Sequence, residues 1–458
     1  MLRPAGAPSS SAHPSPARPP TVALANFDVE RHWSIGGPAL PAPGTDMATS
    51  VVAGANELAL LLGHTADWAV VKSQPDPGLI HGLERAGLTL PSVLSTDGNV
   101  PTNSVTEDAL ASPVLLDHLR EIATSGARLA PHGFSRVEAE LCELTGLTPP
   151  MSGPGIATAV NSKVFSRRLC RAEGIAQPPG WECDTIADLM AIADAIRSRI
   201  TAGATVAVKD AYGVSGKGIM LVDRIDQFNR LVRMLARQAD RGGEGRLPLV
   251  VEEWQDKRTD LNYHFTIGAD GAMRFDFVLE AVTEGRTHRG HRLPARIDGC
   301  HRRRLRECAD QIGRVLATHG YCGPVGIDAI VCADGTLFPV IEINARNNMS
   351  TYLAPIRERI ADAGSVGLAL QVDLRLPAVV SFEEVSHALR GLDLTQSWRH
   401  GFLVTCFASV NAAAALADRT GHFRGRLHGV AVAGTTIELE HLETEVRTCL
   451  RELETSRD

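Results

Sequence analysis

The stretch from Gly326 to Arg346 restricts the fold most. Gly326-Ile-Asp-Ala-Ile-Val and Pro339-Val-Ile-Glu-Ile-Asn-Ala-Arg alternate apolar and polar residues on either side of an Ala-Asp-Gly turn. A period of two reads as strand, and the turn folds the two strands into a hairpin. Residues two apart share a face, so Glu342, Asn344 and Arg346 project together, and Asp328 on the paired strand joins them. Ile327, Ile341 and Ile343 point the other way, into a core. Asp and Asn are poor strand formers, and here they gather at one strand end. Two carboxylates and an amide oxygen are hard ligands suited to Mg2+ held between phosphates. The alternative is an amphipathic strand with a solvated polar face.

A second pattern lies upstream. Ala207-Val-Lys-Asp-Ala-Tyr-Gly-Val-Ser-Gly-Lys-Gly-Ile-Met-Leu reads strand, lysine, glycine turn, strand. Gly213, Gly216 and Gly218 free the backbone to wrap N–H groups around an anion, with Ser215 in the same turn and Lys209 and Lys217 adding charge. A P-loop is excluded, because the Lys-Ser/Thr pair and the following helix are both missing. A hairpin closing over phosphates fits, and plain hairpin punctuation is the alternative. Lys163 opens a helix just after the glycines at 153 and 155. The run Leu247–Glu252 ends at Glu252-Glu253-Trp254, where a chain passing between lobes can offer backbone groups to an adenine edge, with Asp260 further on for ribose hydroxyls. Between the two hairpins lies the basic loop Arg286–Arg296, whose Arg289 and Arg292 could fork onto a carboxylate or phosphate, although such runs are usually solvated. The cluster Arg167, Arg168 and Arg171 reads as a solvated helix face.

The 458 residues imply about three domains. Residues 1–45, rich in Pro, Ala and Ser, read as a disordered tail. Residues 46–150 alternate apolar runs such as Trp68–Val71 with helices. Capping-box spacing marks Ser104/Glu107 and Ser135/Glu138, and Gly146 stands at a helix stop; this is an α/β layer. Residues 373–458 carry no nameable chemistry. A net charge of −7 without a basic tail argues against nucleic acid. No apolar run is long enough to span a bilayer. Nine dispersed cysteines, with neither Cys-x-x-Cys nor zinc spacing, point to a reducing cytoplasm.

In order, Lys163, Lys209, the glycine loop 213–218, Glu252–Trp254, Asp328 and Glu342-x-Asn344-x-Arg346 resemble the ATP-grasp superfamily over about Met151 to Gln371. The resemblance implies an α/β fold with α+β lobes: a pre-ATP-grasp domain at 46–150, an ATP-grasp domain at 151–372 (lobes about 151–251 and 252–372), and a small C-terminal domain at 373–458. It implies that Lys163, Lys209 and the loop contact ATP phosphates, that Glu252, Glu253 and Trp254 line the adenine pocket, and that Asp260 reaches the ribose. Asp328, Glu342 and Asn344 would hold Mg2+, and Arg346 would steady the transferring phosphoryl group. Leu129-Ala-Pro-His-Gly-Phe-Ser and the C-terminal stretch are similar to the flanks of the pheganomycin-type peptide ligases; the butirosin-type ligase that loads glutamate onto an acyl carrier protein shares the layout. The D-alanine ligase group has an arginine before the metal-binding aspartate, where this chain has Gly326-Ile327, so Arg346, Arg289 and Arg292 become the candidates for that role. The expected activity is ATP-dependent joining of a carboxylate to an amine through an acyl phosphate, in specialised metabolism, with amino-acid or peptide substrates and a homodimer as the default assembly. A carrier-protein thiol as acceptor, and a nucleotide-binding module without catalysis, are the alternatives.

Overall fold

The computed structural model describes residues 18–34, 40, 45–213, 218–242, 245–284, 287–418 and 420–455. Three sheets organise them. The first is wholly parallel, with strands β1 (Thr21–Leu24), β2 (Trp68–Val71), β3 (Ser92–Ser95) and β4 (Arg128–Pro131) in the order β3-β2-β1-β4. Its inner strands β1 and β2 are short, nearly continuous apolar runs because both faces are covered. Val22, Leu24, Val70 and Leu129 face one core, and Ala23 and Ala69 face another. The helices that follow β3 and β4 start at the expected caps: Ser104/Glu107 and Ser135/Glu138 form reciprocal capping boxes, and Gly146 ends its helix at φ 79°.

Residues 18–34 correct the expectation of a tail. Thr-Val-Ala-Leu at 21–24 is an inner strand between β2 and β4, and Glu30–Trp33 is a short helix with Glu30 and Trp33 buried. Four residues, three of them apolar, in a Pro/Ala/Ser-rich context become a strand because partners distant in sequence flank them on both sides.

The second sheet holds β5 (Gly180–Thr185), β6 (Val206–Asp210), β7 (Ile219–Val222) and β8 (Arg246–Glu253), ordered β5-β8-β6-β7 and antiparallel throughout. Helices Ile186–Thr201 and Ile225–Gly242 cover one face through Leu189, Ile196, Phe228 and Leu235. By alternation Val206 and Val208 face those helices, and Ala207 and Lys209 face away.

The third sheet is antiparallel and has eight strands: β9 (Lys257–Ile267), β10 (Met273–Glu284), β11 (Thr287–Leu293), β12 (Gly323–Cys332), β13 (Leu337–Asn344), β14 (Val366–Leu376), β15 (Gly401–Cys406) and β16 (Phe423–Ala433). Their order is β13-β12-β9-β10-β11-β14-β16-β15. Behind β9, β12 and β13, helices Lys163–Ala172 and Gly299–Thr318 bury Tyr263, Phe265, Val325, Ile327 and Ile343. The opposite face carries Asn262, His264, Asp328, Glu342 and Asn344. Further along, that same face packs on the first sheet's layer through Phe277, Leu279, Leu293 and Val430.

Two expectations change here. Residues 287–293, expected within a basic loop, form β11, paired to both β10 and β14. The boundary expected at 372/373 falls inside β14, which pairs with β16 from Val366 to Leu376, so the C-terminal strands extend the same sheet. Among the described residues no helix is long and apolar enough to cross a membrane.

Candidate active site

Register brings the acidic residues together. Asp328 lies opposite Glu342 on one side and Asn262 on the other, and Gly326 lies opposite Asn344. Asp328 accepts from Asn262 Nδ2 at 2.8 Å and from Asn344 Nδ2 at 3.1 Å. Burial, and then the like charge of Glu342, push the Asp328 carboxyl up to about 6. A site that resists its own negative charge is poised to accept a cation. Among the described residues no three of His, Cys, Asp and Glu converge as a closed metal cage. Two carboxylates and an amide oxygen instead suit a cation that keeps phosphate oxygens and water as its other ligands, which is the habit of Mg2+.

Lys163 links this face to the glycine turn. Its Nζ donates to Glu342 Oε1 at 2.7 Å and to the Gly213 carbonyl at 2.5 Å, and its backbone N–H donates to Ala211 O at 2.9 Å. Lys163 thus ties the helix start to the strand lysine's loop through its backbone, and the loop to the acidic strand β13 through its buried ammonium. Gly218 sits at φ +77°, where an added Cβ would meet Asp210 Oδ2 at 2.8 Å, so glycine is required there. Ser215, Gly216 and Lys217 lie outside the described residues.

Lys209 is held at the base of the turn by Glu252, whose other oxygen takes Arg167 Nη1 at 3.3 Å. All three side chains are buried. Glu252 is therefore committed to buried ion pairs, and Arg167, read from sequence as solvated, is instead the second cation on that carboxylate. Arg168 and Arg171 are exposed and pair with Asp184 and Glu182. Glu253 pairs with Arg199 at 3.1 Å. The backbone N–H groups of Glu253 and Trp254 already donate to Pro179 O and Thr205 O, each at 2.8 Å. Lys257 Nζ lies 5.8 Å from the Trp254 ring centre and 2.7 Å from Asp260 Oδ2, and Asp260 shares the Asn262 face of β9.

Arg346 leaves the strand on the acidic face but turns to the first domain. Its Nη2 pairs with Glu30 Oε1 at 2.7 Å, and Nη1 donates to Asn347 O at 3.1 Å. Asn347 in turn is tied to the end of β4, its N–H to His132 O and its Nδ2 to Pro131 O, both at 2.9 Å. His132 Nδ1 lies 3.0 Å from the Tyr352 hydroxyl, and burial followed by the nearby Arg346 charge holds this imidazole well below its usual range, hence neutral. Behind Asp328, His264 Nε2 meets Asn262 Oδ1 and Ser350 Oγ at 2.7 Å each. Burial, then Arg357, lowers its pKa to about 3. Both imidazoles serve as hydrogen-bonding groups rather than as bases.

The other two arginines are elsewhere. Arg292 lies opposite Glu280, which lies opposite Leu261, so it occupies the face turned away from Asp328 and cannot steady a phosphoryl group there. Arg289 pairs with Asp373 at 2.7 Å, a carboxylate shared with Arg426. Asp373 is on β14, four strands from β12, roughly 19 Å across the sheet at about 4.8 Å per strand. Glu30, Arg167, Asn262 and His264 were not anticipated. The last two had a signal, because Asp260, Asn262 and His264 alternate with apolar residues as Asp328 does.

Residues 55–147 match the pre-ATP-grasp domain family. The chain is 25% identical over 303 residues to the [butirosin acyl-carrier protein]–L-glutamate ligase of Niallia circulans, an alignment that spans 65% of this chain and 65% of that relative. In fold it is similar to the carboxyaminoimidazole ribonucleotide synthase of Aspergillus clavatus complexed with ATP (15% identity, TM-score 0.52, 84% of this chain and 98% of that one). It is also similar to the biotin carboxylase domain of the 2-oxoglutarate carboxylase of Hydrogenobacter thermophilus in complex with MgADP, ADP and bicarbonate (13% identity, TM-score 0.51, 87% of each).

Proposed function

We propose that this chain, which has the ATP-grasp fold with a pre-ATP-grasp domain before it, is an ATP-dependent, ADP-forming ligase that activates the carboxylate of an amino acid. The observation that carries this reading is Lys163, which touches both the glycine-turn carbonyl and Glu342 beside Asp328. In this reading the same ammonium lies between a turn that would bind phosphate and a face that would bind a divalent cation.

Asp328, Glu342 and Asn344 would hold Mg2+, which when bound neutralises phosphate charge. Lys163 and Lys209 add fixed positive charge from buried positions, where it acts more strongly than in water. Glu252 keeps Lys209 in place. The donor carboxylate oxygen attacks the terminal phosphorus of ATP, ADP leaves, and an acyl phosphate results; Arg346 lies beside the acidic face for that transfer. An acceptor nucleophile then attacks the carbonyl carbon and phosphate departs. The protein supplies position and charge, and no nucleophilic side chain is required.

The acceptor is an amine in this reading. The relative whose name joins L-glutamate to a carrier protein supports a second one, in which a carrier-protein thiol takes the acyl group. A cytoplasmic setting, in keeping with nine free cysteines, and a homodimeric assembly complete the proposal. The test is ADP and phosphate release with ATP, Mg2+ and a panel of amino acids, with amines or a carrier protein added in turn, and Glu342→Ala alongside. ADP formed only with one donor class and lost in the variant supports the ligase; AMP in place of ADP, or no ATP binding, overturns it.

A further inference from the structure

We propose that Glu30 receives the ammonium group of the donor amino acid, with Arg346 beside it taking an oxygen of the same molecule. This rests on the ligase reading above and names the substrate class at that site. Glu30 reaches the site from the first domain, on the helix Glu30–Trp33, and is only 6% exposed. Its Oε1 is taken by Arg346 Nη2 at 2.7 Å, while its Oε2 has no hydrogen-bond partner. Arg346 is in the same position: Nη1 and Nη2 are used, and its Nε is buried without an acceptor. The pair therefore presents one unused acceptor on a carboxylate and one unused donor on a guanidinium.

Such groups are rarely left unsatisfied, because each forfeits the hydration it had in water. A molecule carrying both an N–H cation and an anionic oxygen satisfies the two together, and an amino acid is the simplest such molecule. The location agrees with this chemistry. Arg346 is two residues beyond Asn344, so a ligand on this pair has its oxygen end near the acidic face where phosphate charge would be neutralised. The hydrogen bond from Asn347 N–H to His132 O fixes that stretch against the first domain, which brings Phe27 and His132, with rings 4.5 Å apart, and Tyr352 into one wall beside it. Both unused atoms are sealed in the unliganded fold, so a ligand reaches them only by displacing the side chains packed over them, and the charged contact then forms away from bulk water. A simple carboxylic acid would leave Glu30 Oε2 without a donor.

A different role for Glu30, that of steadying Arg346 alone, makes an opposing prediction. It would lower activity equally for every donor, whereas ammonium recognition concerns only donors that carry one. The full chain, Glu30→Gln and Glu30→Asp are compared with the best amino-acid donor and with its desamino analogue. ADP release is measured in each case, and binding of both compounds is measured by calorimetry with a non-hydrolysable ATP analogue. In the wild type the amino acid is preferred. In Glu30→Gln that preference falls by about tenfold to hundredfold, the worth of a hydrogen bond to a charged group, through KM and binding rather than kcat. Glu30→Asp retains part of it and guards against a folding defect, which ATP binding also monitors. Equal losses for both donors, or an unchanged preference, overturn the proposal. Absence of donor-dependent ADP release in the wild type removes the ligase reading and this one with it.

Discussion

Asp328→Asn should make the protein more stable at alkaline pH while abolishing its activity. The Asp328 carboxyl titrates at about 6 in the fold against 3.8 for an ordinary aspartate. Its folded value is raised, so the charged form is disfavoured, and the penalty is present above about pH 6 and fades as pH falls toward 4. The difference of roughly two pKa units corresponds to about 3 kcal/mol at full strength. Asp328 keeps some contact with solvent, and screening reduces the expected gain to about 1–2 kcal/mol. Asparagine can still accept from Asn262, and a flip of the Asn344 amide restores the second hydrogen bond. Thermal unfolding without nucleotide or metal should show Tm at pH 8 higher by about 2–4 °C in the variant, with the gap closing by about pH 4. Adding Mg2+ and ADP should raise Tm in the wild type and do so far less in the variant, since only the wild type keeps both carboxylates. Equal or lower Tm for the variant at pH 8 would refute the argument that these two carboxylates repel each other in the free protein.

Glu252→Ala removes the carboxylate between Lys209 and Arg167 and leaves two buried cations facing each other. A loss of about 3–5 kcal/mol is expected in denaturant unfolding, and a change below about 1 kcal/mol would contradict the buried pairing. Lys163→Met should lower donor-dependent ADP formation by about a hundredfold or more, because one side chain serves both the loop and Glu342. Arg292→Ala, on the reverse face of the sheet, should alter kcat by less than about threefold, whereas Arg346→Ala should nearly eliminate turnover; similar losses for both would place Arg292 where the register does not. Gly218→Ala should destabilise by about 1 kcal/mol or more, since φ +77° and the Asp210 carboxyl both oppose a Cβ, and an unchanged Tm would count against it.

Local signals carried much of the fold and the acidic half of the site. Period-two alternation placed Asp328, Glu342 and Asn344 on one face, but the Ala-Asp-Gly turn alone would set Asp328 opposite Val340, and it is an irregularity between Asp328 and Ile330 that brings Asp328 opposite Glu342. Capping boxes at Ser104 and Ser135 formed as their spacing demands. What stayed hidden depended on partners far along the chain. Thr21–Leu24 is a strand only because residues 68–71 and 128–131 flank it. Arg167 is buried because Glu252 lies across from it, and nothing within its own helix announces that. Reading Arg286–Arg296 as a loop missed β11, and with it the alternation that separates Arg289 from Arg292. Glu30 was lost with the tail to which it was assigned.

The placement of β14 and β16 has a consequence for synthesis on the ribosome. The acidic hairpin β12–β13 is contiguous and can form as soon as it emerges. The edge of β11, in contrast, stays open until residues 366–376 arrive, and β14 in turn waits for residues 423–433. Until then the nascent sheet presents unpaired N–H and C=O groups of the kind that recruit other chains. A nonsense variant that stops before β14 would thus retain its whole acidic face and still accumulate as aggregate, so its phenotype would be loss of protein rather than loss of chemistry.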